Sequence, residues 1–326
     1  MRIGYIPPMP MEVFAASPHD AENLWTTFAL TADRTGWLET ARLVGFKDST
    51  SVWARCLYAI AQEREIRSLW YPEPGTPQEV RAVLESLGEQ GVVCRPFHFP
   101  LLRSTERLQE AMDGLCRELE VDARRLKATL DQWTHVRVAL RRFDALQHKN
   151  GAFTSSAYVQ ALARAMNPGK DIEGHRREVE RQILEFEGSR QGRWVKVGFI
   201  GVTPYRPDLY RALEELGAVV VYDEWGIENN PQGAAHDLVA HYHQTSIPYG
   251  LKRRQERLLK EIAERRLRGL ILGVECLCHN IREEGFFRST LPVPVLTFDN
   301  CRGDALAPAE EESLRRFLAG CTAGAA

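Results

Sequence analysis

Apolar positions along this chain alternate between two periods. Runs of four to six consecutive apolar residues are followed by stretches with apolar residues three and four apart, the pattern of strand followed by amphipathic helix. "IRSLWYPEPGT" (66–76) reads as a short buried strand entering a Pro/Gly loop. "TPQEVRAVLESLGEQG" then places Val80, Val83, Leu84 and Leu87 at helical spacing. Thr76 suits an N-cap with Pro77 at the first helical position, and Gly88 or Gly91 can close the helix. "VVCRPF" follows as a second strand. The order recurs from residue 195 onward: "VKVGFIGVTP" as strand and loop, "RPDLYRALEELG" as a helix ending at Gly217, and "AVVVYDEW" as a strand. "QERLLKEIAERRLRG" (helix), "LILGVE" (strand), "HNIREEGFFRSTL" (helix) and "PVPVLTFDN" (strand) complete the series.

Strands and helices alternating at this spacing predict an α/β fold with mostly parallel sheets covered on both faces. "LESLGEQGVV" and "LEELGAVVV" share a local signature, which suggests two related halves. Between them, 104–188 carries long, charged, helix-periodic sequence with almost no strand signal. The expected architecture is two doubly wound, Rossmann-like domains joined by a helical layer. The expected boundaries are 1–103 for the first α/β domain with a helical entrance, 104–190 for the helical linking layer, and 191–326 for the second α/β domain. The tail "APAEEESLRRFLAGCTAGAA" reads as one short helix with a fraying end.

Composition sharpens this picture in three ways. With 326 residues and 44% hydrophobic content the chain can bury a large core, better divided over two domains than one. A net charge of −2 gives no support for nucleic-acid binding. No apolar stretch approaches the length of a membrane span, and "MRIGYIPPMPMEVFAAS" lacks the basic-then-apolar pattern of a leader. The expectation is therefore a cytoplasmic protein, its seven cysteines reduced unless they bind a metal or cluster.

Candidate chemistry concentrates where a strand should end, in "LILGVECLCHN" (270–280). Cys276 and Cys278 stand two apart beside His279; thiols at that spacing point to opposite faces of an extended segment unless the chain has turned. No second close pair of ligands exists, so structural zinc is disfavoured. On spacing alone, one of these thiols packs in the core and the other lines a cleft. Cys56, in "SVWARCLYAIAQE", falls early in an apolar-periodic helix; it could be activated by the helix N-terminus, but spacing favours a core position. Cys94 reads as mid-strand core, Cys116 as helix packing, and Cys301 as a second residue after a strand end. His236, His241 and His243 do not share one helical face and read as a solvated amphipathic helix. Dinucleotide, P-loop, nucleophile-elbow and metalloprotease motifs are absent.

Taken in order, several segments resemble the 2-hydroxyacyl-CoA dehydratase family, which includes the benzoyl-CoA reductase subunits. They are "IGYIPPMPMEVFAAS", "RCLYAIAQ", "FHFPLLRSTERLQEAMDGLCRELEV", "LKATLDQWTHVRVALRRFDAL", "VKVGFIGVTPYRPDLYRALEELGAVVVYDE", and "IPYGLKRRQERLLKEIAERRLRGLILGVECLCHNIREEGFF" with "LPVPVLTFDN". The resemblance implies three cysteines holding a [4Fe–4S] cluster between two α/β domains. It maps the first onto Cys56 and the third onto Cys278, with Cys276 its neighbour. At the second position this chain reads "WYPEPGTPQEV" and offers Glu73 instead of cysteine. The resemblance further implies a heterodimer with a paralogous subunit (or self-association), an ATP-dependent iron–sulfur activator, and an acyl-CoA substrate dehydrated or reduced by a radical route. The missing cysteine leaves a second expectation open: a cluster-poor binding or scaffold subunit without redox chemistry of its own.

Overall fold

The computed structural model describes residues 1–167, 171–186, 193–204, 206–230, 237–246, 250–275, 279–300 and 306–323. The chain divides into two compact units. The first comprises Met1–Val138, Ala163–Arg176 and Asn229–Tyr249; the second comprises Ala139–Leu162, Arg177–Glu228 and Gly250–Ala326. Residues 104–190 are mostly helical where described and contribute to both units.

The first unit opens with β1 (Arg2–Tyr5), α1 (Met11–Ala16), β2 (Asp20–Asn23), α2 (Leu24–Leu30), α3 (Thr35–Leu43) and α4 (Val52–Glu63). It continues with β3 (Ser68–Glu73), α5 (Gln78–Glu89), β4 (Val93–His98) and α6 (Thr105–Glu118). Next come α7 (Ala123–Asn150), α8 (Ser155–Ala165) and α9 (Ile172–Phe186). The second unit contains β5 (Val195–Gly201), α10 (Pro207–Glu215), β6 (Ala218–Asp223) and α11 (Glu224–Asn229). After α12 (Leu238–Gln244), which belongs to the first unit, follow α13 (Leu251–Arg265), β7 (Gly269–Val274), α14 (His279–Thr290), β8 (Val295–Asp299) and α15 (Pro308–Ala323).

Each unit holds one four-stranded, all-parallel sheet, in the orders β2-β1-β3-β4 and β6-β5-β7-β8. The two orders are the same when each sheet's strands are numbered from its own first, which matches the repeated sequence signature. In each, the chain leaves the first strand for one neighbour and later returns to its other side. This reversal makes a crevice at the carboxyl ends of β1 and β3, and of β5 and β7, where doubly wound sheets take ligands.

The elements follow from their residues. α5 buries Val80, Val83, Leu84 and Leu87, the stripe its spacing predicts. α10 buries Leu209, Tyr210 and Leu213, and each fully buried leucine is worth roughly 1.5–3 kcal/mol. Gly91 (φ +88) and Gly217 (φ +80) end these two helices in left-handed backbone that a side chain would strain.

Three expectations are revised and one strand is added. Thr76 does not cap α5: Pro77 precedes the helix in extended backbone, and the Thr76 hydroxyl donates instead to the Pro72 carbonyl. Cys94 is half-buried rather than core, because β4 is an outer strand with exposed positions along it. The tail forms the sixteen-residue α15, which buries Leu314, Phe317, Leu318 and Cys321. β2, pairing along β1 from Arg2↔Asp20 to Tyr5↔Asn23, has no apolar run to announce it.

β6 is also an outer strand, yet it is buried throughout. Its edge groups are met by side chains: Gln147 Nε2 donates to the Val220 carbonyl at 2.6 Å, Val220 N donates to Ser155 Oγ at 3.1 Å, and Arg265 Nη1 donates to the Val221 carbonyl at 2.8 Å. An edge that would otherwise leave buried polar groups unpaired is thereby closed.

Candidate functional site

The carboxyl edge of the first sheet gathers polar groups from sequence-distant elements. β1 runs through Ile6, whose amide donates to the Trp70 carbonyl at 3.0 Å, into the Pro-rich turn that starts α1. α1 carries Glu12, which is fully buried. Its Oε1 is paired with the guanidinium of Arg137 on α7, and its Oε2 accepts from the Tyr242 hydroxyl at 2.8 Å. The same hydroxyl oxygen lies 3.0 Å from the Met9 carbonyl and accepts from Met11 N at 3.2 Å. Tyr242 therefore anchors α12 on the β1–α1 connection. Burial, then the nearby Glu12 charge, holds its phenol well above its ordinary pKa, so it stays a neutral donor.

His241 corrects the expectation of a solvated helix. It is 5% exposed, and Leu238, His241 and Tyr242 form the buried face of α12. Burial first, and the Arg137 charge second, push its pKa down to about 2, so the ring is neutral. His236 lies outside the described residues. The signal missed was the i, i+3, i+4 stripe Leu238–His241–Tyr242; comparing histidines only with one another concealed it.

Cys56 sits in the second turn of α4 and is completely buried. The helix is capped by Ser51, whose Oγ accepts from Ala54 N at 3.3 Å, while Ser51 N donates to Glu79 of α5 at 3.1 Å. α4 packs on α2, α3 and α5, so this thiol is shielded from water. Glu73 is the last residue of β3. One of its oxygens pairs with Arg81; the other, Oε2, is buried with no hydrogen-bond partner. A carboxylate with one oxygen held and one open has room for one more ligating or donating group. Cys276, Cys278 and Cys301 lie outside the described residues. No group of three or more metal-ligating side chains occurs among the described residues.

The second unit's carboxyl edge is built around acids. Glu224 accepts from Gly201 N at 2.7 Å and is clamped by Arg254, which also pairs with Glu283. Asp223 accepts from the Thr203 hydroxyl at 2.7 Å and from Gly226 N at 3.2 Å, opening α11. Burial is the main cause raising its pKa to about 7, against the lowering effect of those hydrogen bonds. Beyond the ends of β7 and β8 lies a cavity of about 410 Å³, with Val274, Leu296 and Phe298 as apolar lining and Glu275, Glu284, Asp299 and Glu310 as acids. Such a lining repels the phosphates of a nucleotide-bearing ligand and favours neutral or cationic groups.

β7 also carries a close backbone approach. A Cβ on Gly273 would sit 1.8 Å from the Val202 carbonyl oxygen. Val202 N bonds the Gly273 carbonyl at 3.1 Å, so neither strand can withdraw freely. Gly273→Ala is expected to destabilise the protein by at least about 2 kcal/mol, read as a lower urea midpoint. An unchanged midpoint would show that β5 and β7 are not this close.

No curated protein matches the chain. The family model of the 2-hydroxyglutaryl-CoA dehydratase D-component matches residues 74–304, more than half of the chain. The match includes Cys276 and Cys278 and begins just after Glu73, so Cys56 and Glu73 precede it. With two parallel α/β sheets and this continuous match, the chain belongs to the 2-hydroxyglutaryl-CoA dehydratase D-component family.

Proposed function

We propose that this chain is the iron–sulfur component of a 2-hydroxyacyl-CoA dehydratase or a benzoyl-CoA reductase-like system. The observation that carries this reading is the family match, which runs through the Cys276–Cys278 segment after β7. Cys56 and Cys278 supply thiolates, the ligands that iron–sulfur clusters prefer. Cys276 or Glu73 completes the set, and the open Oε2 of Glu73 supports the carboxylate in that role. When bound, a [4Fe–4S] cluster would supply one low-potential electron to an acyl-CoA thioester, received from an ATP-driven activator protein. The chain's own residues exclude water and fix ligand geometry: α4 buries the Cys56 thiol, and Arg81 holds Glu73 by one oxygen. A paralogous subunit, or a second copy, completes the enzyme, with the chain in the cytoplasm.

A second reading, a cluster-poor binding or scaffold subunit, is favoured by one observation: the position expected for a cysteine holds a carboxylate already paired with arginine. Anaerobic purification with iron and sulfide analysis separates the two. About four irons and four sulfides per chain, with a brown chromophore, are expected. Cys278→Ala should remove both colour and iron, and Glu73→Cys should raise occupancy. Iron-free, colourless protein after reconstitution would overturn the redox reading in favour of the scaffold.

A further inference from the structure

Around Glu12 the buried hydrogen-bonding groups do not balance. Both carboxylate oxygens are satisfied, one by Arg137 and one by Tyr242. Left over, all buried and without a partner, are Nε and Nη1 of Arg137, Nε1 of Trp133 and Nε2 of His241. Arg137, Trp133 and His241 are 2%, 1% and 5% exposed. Trp133 lies one helical turn before Arg137 on α7, and the Arg137 guanidinium carbon is 5.9 Å from the Trp133 ring centroid. His241 is adjacent to Tyr242 on α12, which anchors the same Glu12. Native interiors rarely leave such groups unmet, because a buried donor or acceptor without a partner loses its hydration and regains nothing. Four such groups, three donors and one imidazole nitrogen, lie in one cluster near the carboxyl end of β1.

We propose that Trp133, Arg137 and His241 form a buried site for the carboxyl group of a small organic acid. The chemistry follows from what each atom can do. Indole and guanidinium nitrogens only donate. The neutral imidazole leaves Nε2 free to accept when Nδ1 carries the hydrogen. Charge is already balanced between Glu12 and Arg137, so a second bare anion would be left uncompensated. A carboxyl group entering with one proton can meet three of these four groups: the Trp133 indole, one Arg137 nitrogen and His241 Nε2. Its carbonyl oxygen accepts from Trp133 and Arg137, and its proton is shared with His241 Nε2. The ionisable groups around it are Glu12 of α1, Arg137 of α7, and Tyr242 and His241 of α12, with Tyr5 of β1 close enough to feel Glu12. The site uses none of the thiols, nor Glu73, and stands or falls independently of the cluster.

The test is thermal melting of the full chain in sodium acetate against sodium chloride at equal ionic strength. Acetate is expected to raise the melting temperature, saturating with concentration. In Trp133→Phe and His241→Phe the acetate concentration giving half the shift should rise about tenfold, the loss of one hydrogen bond. Equal melting in both salts, as when ordered water fills the site, would overturn the proposal, and so would an acetate shift undiminished in both variants. Should either variant fail to fold, an acetate titration of the indole N–H resonances of the native protein decides the matter. One buried indole proton is expected to shift, and no movement would count against the site.

Discussion

Arg265→Met is expected to destabilise the second unit by about 3–5 kcal/mol, the range for removing one partner of a buried ion pair. Arg265, on α13, is 7% exposed. Its Nη1 and Nη2 each lie 2.8 Å from one oxygen of Asp144, a bidentate pair, and its Nε lies 2.6 Å from Glu261. Nη1 also reaches the Val221 carbonyl on the β6 edge. Asp144 further accepts from the Tyr158 hydroxyl at 2.6 Å. Methionine fills much of the volume but leaves Asp144, 7% exposed, without its cation, and Glu261, 6% exposed, with Arg257 alone at 3.0 Å. The loss should be largely recovered by adding Asp144→Asn and Glu261→Gln, which remove the stranded charges. Urea unfolding of the single and triple variants checks this. A single variant within about 1 kcal/mol of the native protein would mean that the network is solvated rather than buried.

His241 should make the first unit acid-sensitive. Its folded pKa of about 2 lies below the ordinary 6.5, so between these values the folded state binds fewer protons than the unfolded chain. Its contribution to stability is complete above pH 6.5 and falls by about 1.4 kcal/mol per pH unit below it. Asp223, in the second unit, acts oppositely. Its pKa rises from 3.8 to about 7, so its protonated form favours folding below pH 7 and that contribution is lost as pH rises through 7. The native protein can therefore show little net slope while two large effects oppose each other. The difference between native protein and His241→Phe isolates the histidine. Measured in urea at about pH 7, 6 and 5, native stability should drop relative to the variant at about the slope given above. A pH-independent difference would show that His241 is solvated in the folded chain.

Much of the architecture was legible because burial imposes period. The strands at 68–73, 195–201, 218–223, 269–274 and 295–299 all appear as apolar runs, and α5 and α10 as apolar stripes. β2 escaped because "DAEN" is polar, and it exists only through pairing with β1. The buried face of α12 escaped because it mixes Leu238 with His241 and Tyr242, and Tyr242 is held by groups more than two hundred residues away in sequence.

For the candidate site the division is similar. Family membership was readable from ordered segments: the 74–304 match spans those from "FHFPLL" onward, while "IGYIPPMPMEVFAAS" and "RCLYAIAQ" precede it. The identities of Cys56 and Glu73 were readable too, but not their environments: a fully buried thiol in α4, and a carboxylate with one oxygen taken by Arg81. By itself the sequence determined which apolar-periodic segments become strands and helices, because one-dimensional periodicity records which face of each such element is buried. Only the tertiary structure decided which polar groups meet. Glu12 finds Arg137 and Tyr242, and Asp144 finds Arg265, because hydrogen bonds and charge pairs are short-ranged contacts between distant residues, and no local pattern encodes their partners.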